Sequence, residues 1–321
     1  MKNQHFKLYS CCIPVMGKAG SIIVNLQKSS YTVIPQFLCE ILQNYDGMSL
    51  GELEKTYDDG EENISQYFQT LSANGLGFFT DEPQRFPGMS LQWDTPEVIR
   101  QCVLQVEDYS RFDYKNVLAQ LDQLLCKYVE AWFTGSYTCT ELEDLLAFSE
   151  CSVLRSLTLI LPYNPSMQIN DYEELAARYK KAGQIYLHQA PETYKNPETR
   201  VYATTESFGD FQKTFKNIPP DEYIIFLDFF LESLNFNPYY NRKICIDADG
   251  YLKNCLTHKN HFGNIAGRAL EEVAHDEEFR NLWYASNDRI LGIKDSEFRY
   301  IWLNTHELKK TAGGYYQIVE H

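Results

Sequence analysis

Val98-Ile99-Arg100-Gln101-Cys102-Val103-Leu104-Gln105-Val106 opens the stretch that decides the fold. A short run of apolar and β-branched residues bounded by charged loops predicts a strand. A helical pattern follows over 114–127, where Val117, Leu118, Leu121, Leu124 and Leu125 return at three- and four-residue intervals. The pair then repeats: strand 129–134, helix 141–148, strand 153–162, helix 172–181, strand 185–188. Strands joined through helices must run parallel, because a parallel pair needs a long crossover. The fold class is therefore α/β, with a partial or complete β/α barrel.

Chemistry in such folds sits on the loops that follow the strands. The first is Glu107-Asp108-Tyr109-Ser110-Arg111-Phe112-Asp113, without Cys, His or a glycine cradle for phosphate. Asp108 and Asp113 read as a helix cap and a solvated loop charge. The second, Gly135-Ser136-Tyr137-Thr138-Cys139, is polar and matches no catalytic pattern; Cys139 would be a nucleophile only beside a base. P-loop, G-x-S-x-G and zinc-protease patterns are all missing from the chain.

Before this region lies a smaller unit. Strands are predicted over 6–14, 21–26 and 31–34, with Gly17, Gly20 and Ser29-Ser30 as turns. Pro35 opens a helix whose Leu38, Ile41, Leu42 and Tyr45 share one face. Ser49 and Glu52 have capping-box spacing for a second helix. Asn63 caps a third, with Ile64, Tyr67, Phe68 and Leu71 as its apolar stripe, and a last strand spans 77–80. This is a winged-helix-like layout. Its third helix, 63–76, holds no Lys or Arg and so cannot lie against phosphates. The same layout captures extended peptides on the edge of the third strand. Tyr31, Val33, Ile34, Ile64, Tyr67 and Leu71 would form that peptide-binding groove, although such residues also serve as the unit's own core.

Charge narrows the partners. Lys plus Arg number 29 against 44 Asp plus Glu, a net charge of −15. That field repels nucleic acid. The longest apolar run, Tyr223 to Leu231, contains Asp228 and is too short to cross a bilayer. With no signal-like run in the first residues, a cytoplasmic protein is expected. The nine cysteines include no C-x-x-C or C-x-x-x-C pair of metal-ligand spacing, and an odd number without a secretory signal argues against a disulfide framework.

In the C-terminal third, a hairpin is predicted around Ala248-Asp249-Gly250, and Cys255, His258 and His261 follow within seven residues. Each can ligate zinc, with Cys245 on the partner strand as a fourth candidate; the alternative is a polar surface loop.

Asn237-Pro238-Tyr239-Tyr240-Asn241-Arg242-Lys243, Ile246-Asp247, Asp249-Gly250, Lys253-Asn254-Cys255 and Phe262-Gly263-Asn264-Ile265 together resemble a SPASM domain. So does Lys294-Asp295-Ser296-Glu297-Phe298-Arg299-Tyr300-Ile301. The chain is similar to the peptide maturases of grasp-with-spasm systems, which accompany ATP-grasp peptide ligases in ribosomal natural-product clusters. Cys12-Ile13-Pro14-Val15, Gly17, Ser21-Ile22-Ile23, Ile34-Pro35, Leu76-Gly77-Phe78-Phe79 and Phe86-Pro87 fit the same likeness.

The resemblance implies a leader-peptide-recognition domain over 1–83, a radical-SAM-like barrel over 84–235 and a degenerate SPASM-like domain over 236–321. It also exposes what has been lost. The C-x-x-x-C-x-x-C of radical SAM enzymes is missing after the first barrel strand, and no glycine-rich SAM loop follows the second. Tyr239, Ile293, Ser296 and Trp302 stand where the family has cysteines, and only Cys255 matches. Neither a four-iron cluster nor SAM is therefore expected, and cofactors are expected to be none, with zinc the one alternative. The implied protein is a pseudoenzyme that binds the leader of a precursor peptide and presents the core to an ATP-grasp-type ligase. Asp108, Arg111 and Glu130 are candidate core-peptide contacts. Two alternatives stand beside it: a metal-dependent peptide-modifying enzyme using Cys255, His258 and His261, and a regulatory subunit, such as a homodimer.

Overall fold

The computed structural model describes residues 4–45, 48–57, 64–109, 111, 113–216 and 223–319, without the side chains of 213–216. Asn63, the expected cap of the third helix, lies outside the described residues. The chain divides into two compact units. One takes Met1–Asp94, Pro220–Pro238 and Ala285–His321; the other takes Thr95–Pro219 and Tyr239–Tyr284. Three consecutive segments were expected from the sequence. Instead the last segment is shared between both units, because a unit is set by packing and not by chain order.

In the first unit the expected strand 6–14 is two strands. β1 (His5–Leu8) pairs with β5 (Gly77–Thr80), while β2 (Cys12–Met16) belongs to a different sheet. A turn in which Cys12 N–H donates to the Tyr9 carbonyl (2.8 Å) separates them. The second sheet runs in the order β2, β3 (Ser21–Asn25), β4 (Ser30–Ile34), all antiparallel. Helices α1 (Gln36–Asn44), α2 (Leu50–Tyr57) and α3 (Ile64–Ala73) follow. The capping box on α2 forms as expected: Ser49 N–H donates to the Glu52 carboxylate at 2.8 Å.

All five residues of β3 are buried. On one face Ile23 joins Ile34, Leu38, Ile41, Phe68 and Leu71 in a helical core. On the other, Ile22 and Val24 meet Phe230 and Ile301. A strand covered on both faces reads as an unbroken apolar run, which is what Ile22-Ile23-Val24 is.

The second unit holds an eight-stranded sheet in the order β10-β11-β9-β8-β7-β6-β12-β13. Its strands are β6 (Gln101–Val106), β7 (Tyr128–Phe133), β8 (Ser156–Pro162), β9 (Ala182–His188), β10 (Tyr194–Asn196), β11 (Val201–Ala203), β12 (Lys243–Ile246) and β13 (Leu252–Lys253). The strands from β11 to β12 run parallel, and β10 and β13 are antiparallel edges. The sheet is open, so the barrel is partial. Helices α4 (Tyr114–Gln123), α5 (Cys139–Glu150) and α6 (Ile169–Arg178) cover one face. There Leu104, Ala131, Leu159 and Leu187 meet Leu121, Leu142, Leu145 and Leu175. The other face carries Val103, Trp132, Ile160 and Cys245, with Phe211 of α7 (Phe208–Lys216) against them. Among the described residues no helix is long and apolar enough to cross a membrane.

Candidate functional site

β4 lies at the end of its sheet, bonded among the described residues to β3 on one side only. Its outer backbone N–H and C=O groups therefore form an edge onto which another strand can be added. Val33 is 69% exposed on that edge. The Gln36 amide donates to the carbonyls of Gly17 (2.9 Å) and Lys18 (3.1 Å), fastening the end of β4 to the β2–β3 hairpin. Lys18 N–H donates to the Asp295 carbonyl at 2.7 Å, and an Arg299 guanidinium nitrogen donates to the Met16 carbonyl at 2.7 Å. These bonds anchor the hairpin that precedes β4.

Strand alternation divides the six expected groove residues. Tyr31 and Val33 pair with Val24 and Ile22 and share their face. Ile34 points the other way, into the helical core with Ile64 and Leu71. A single groove of all six, as expected from the sequence, is therefore not what the strand allows, because neighbouring residues on a strand face opposite sides. Two walls result. Tyr31 meets Phe298 and Tyr223 edge-on (5.2 and 5.5 Å), and those two rings stack at 4.6 Å. On the helical side Tyr67 meets Phe37 edge-on at 5.2 Å. Tyr223 and Phe298 were invisible to sequence reasoning, since they lie some two hundred residues or more from Tyr31 and no local pattern links them.

The expected metal ligands do not converge. Cys255 Sγ lies 3.3 Å from Thr257 Oγ1 and 3.6 Å from Tyr239 Oη. His258 Nε2 lies 3.4 Å from Tyr240 Oη, while His261 is exposed with its ring on Tyr251. Cys245 Sγ donates to the Asn254 carbonyl at 3.5 Å. Among the described residues no group of three His, Cys, Asp or Glu side chains could hold a metal ion.

Tyr239, which faces Cys255, also carries a buried cation on its ring. Lys243 is 6% exposed, its ammonium 3.7 Å from the centre of the Tyr239 ring. Burial alone would push the Cys255 thiol up. Lys243 and hydrogen bonds from Thr257 and Tyr239 outweigh it and hold the thiol below its ordinary value. The hairpin register could have revealed this pair: Cys245 opposes Lys253, so counting two residues outward sets Lys243 opposite Cys255.

No family model matches the chain. No curated protein matches it either. Among solved structures, the crystal structure of Streptococcus suis SuiB is similar over 94% of this chain and 94% of that one, at 11% identity and a TM-score of 0.39. The crystal structure of Streptococcus suis SuiB bound to precursor peptide SuiA covers 86% of this chain and 89% of its own, at 11% identity and a TM-score of 0.26.

The candidate contacts in the second unit are partly committed elsewhere. Arg111 pairs with Glu107 (3.2 Å) and Asp249 (2.5 Å). The Glu130 carboxylate accepts from Gln101 Nε2 and Trp132 Nε1, both at 3.0 Å, on the face away from α4–α6. The Asp108 carbonyl accepts from the Tyr114 hydroxyl at 3.1 Å, and Asp113 caps α4. Cys139 is exposed, and burial, Glu143 and Asp171 push its thiol up, the opposite of an activated nucleophile.

Proposed function

We propose that this chain is a non-catalytic binding protein of ribosomal peptide maturation. It holds the leader of a precursor peptide as an added strand on β4 and presents the core to an ATP-grasp-type ligase. The observation that carries the reading is the outer edge of β4, which no described strand pairs, with Val33 exposed on it. A peptide added there places alternate side chains against the Tyr31–Tyr223–Phe298 rings and towards the Phe37–Tyr67 pair. Backbone bonds then give affinity and the two aromatic walls give selectivity. The grasp-with-spasm resemblance supplies the ligase as partner. The missing cluster cysteines, with Tyr239 in place of one of them, argue against radical chemistry.

The test is calorimetric titration with a synthetic candidate precursor-peptide leader, using the whole chain and Val33→Asp. A charge on the edge strand should repel an incoming strand, and affinity should fall about tenfold or more, which corresponds to about 1.4 kcal/mol. Equal affinity of the two proteins would remove β4 as the site.

A further inference from the structure

A cavity of about 680 Å³ opens between the loops that follow β7 and β8. Thr134, Ser136, Cys139, Tyr163, Ser166 and Met167 are among its lining residues. Its volume is that of a ligand site, and the carboxyl ends of adjacent parallel strands are where open α/β sheets bind ligands. The walls are preformed. Tyr137 Oη lies 2.7 Å from Tyr172 Oη and donates to the Pro162 carbonyl at 2.9 Å, and Asn164 Nδ2 donates to the Tyr137 carbonyl at 3.3 Å. A Cβ on Gly135 would meet the Glu107 carbonyl oxygen at 1.9 Å, so that loop can pack only with glycine there.

The chemistry of the lining selects the occupant. No lining side chain carries a charge. Among the described residues the hydroxyls of Thr134, Ser136 and Ser166 make no side-chain hydrogen bond and are free for a ligand. Helix N-termini at such loops ordinarily attract anions. Here the chain's own carboxylates have taken them. Glu141 accepts from Thr138 N–H (2.7 Å) and Oγ1 (3.0 Å) at the start of α5, and Asp171 accepts from Gln168 N–H (2.7 Å) at the start of α6. Glu143 also acts on Cys139, but it is paired with Arg178 at 2.6 Å, so the charge left at the mouth is that of Glu141 and Asp171.

We propose that this cavity is a second peptide subsite that takes a short segment of hydroxylated, amide or basic residues and rejects acidic ones. It rests on the peptide-binding reading above but occupies a different unit from the β4 edge.

Cys139 in the cavity wall is the reporter, and Cys151, exposed at the far end of α5, is the internal control. The whole chain is alkylated with iodoacetamide, and both cysteines are followed by mass spectrometry. The probes are acetyl-Gly-Ser-Lys-Gly-amide and acetyl-Gly-Ser-Glu-Gly-amide at millimolar concentration. The basic probe should slow Cys139 about threefold, as it would at roughly twice its dissociation constant, and leave Cys151 unchanged. The acidic probe should do neither. Ser136→Trp, and independently the exposed Ser166→Leu, should abolish the protection. No protection, or equal protection by the acidic probe, overturns the proposal. Val33→Asp separates the two readings, because it should weaken leader binding and leave Cys139 protection intact. Leader binding without protection sinks the subsite alone; protection without leader binding sinks the β4 reading alone.

Discussion

Lys243 makes no ion pair with a carboxylate among the described residues, although it is nearly buried. A nearby negative charge stabilises a buried ammonium, and Lys243 acts on the Cys255 thiol in the direction that favours its thiolate. Lys243→Met should therefore raise the pH at which the Cys255 thiolate forms. Thiolate absorbance in the ultraviolet across a pH titration reads this directly. The sign for stability follows. Because the folded thiol lies below its ordinary value of 9.0, the pair stabilises the fold fully above that pH. The contribution is lost as pH falls through the folded value. Urea midpoints of the Lys243→Met protein should show less of this dependence; an unchanged thiolate titration would mean that Lys243 has another counter-ion.

At the scale of single elements, α5 shows why the second unit was so readable. Thr138 and Glu141 bond reciprocally, with Glu141 N–H donating to Thr138 Oγ1 at 3.2 Å. Thr138→Ala should cost about 1 kcal/mol in urea unfolding, and a loss well below that would mean the box adds little. Such signals are local, and local signals survive in sequence. The strands and helices expected over 98–188 accordingly appear within a few residues of their observed bounds, since each long periodic run has one buried face. The strand expected over 6–14 broke because Tyr9-Ser10-Cys11 contains no Gly or Pro to announce its turn. β10 and β11, three residues each, are too short to show any periodicity. At β4 the alternation of Tyr31, Val33 and Ile34 was legible as pattern. Which face the helices would cover was not, because that is decided by residues distant in the chain.

At the scale of the molecule, the consequential fact is that the first unit is built from three separated segments. The sequence suggested a recognition domain over 1–83. β3 ties that segment to later parts of the chain. Its Ile23 face is covered within the first eighty residues, but Ile22 and Val24 are covered by Phe230, Ile301 and the partly buried Tyr223 and Phe298. A fragment of residues 1–83 would leave one face of its central strand in water, and the apolar surface lost from burial is worth about 25 cal/mol per Å². Small units have little stability to spare. The fragment should therefore lack a cooperative thermal transition and bind an apolar dye. In the whole chain Phe230→Ala should destabilise the first unit by about 3–5 kcal/mol, because a fully buried aromatic ring is removed. A fragment with a sharp melting transition and well-dispersed amide resonances would show that residues 220–238 and 285–321 merely decorate a domain complete without them. The aromatic wall beside β4 would then be dispensable for folding.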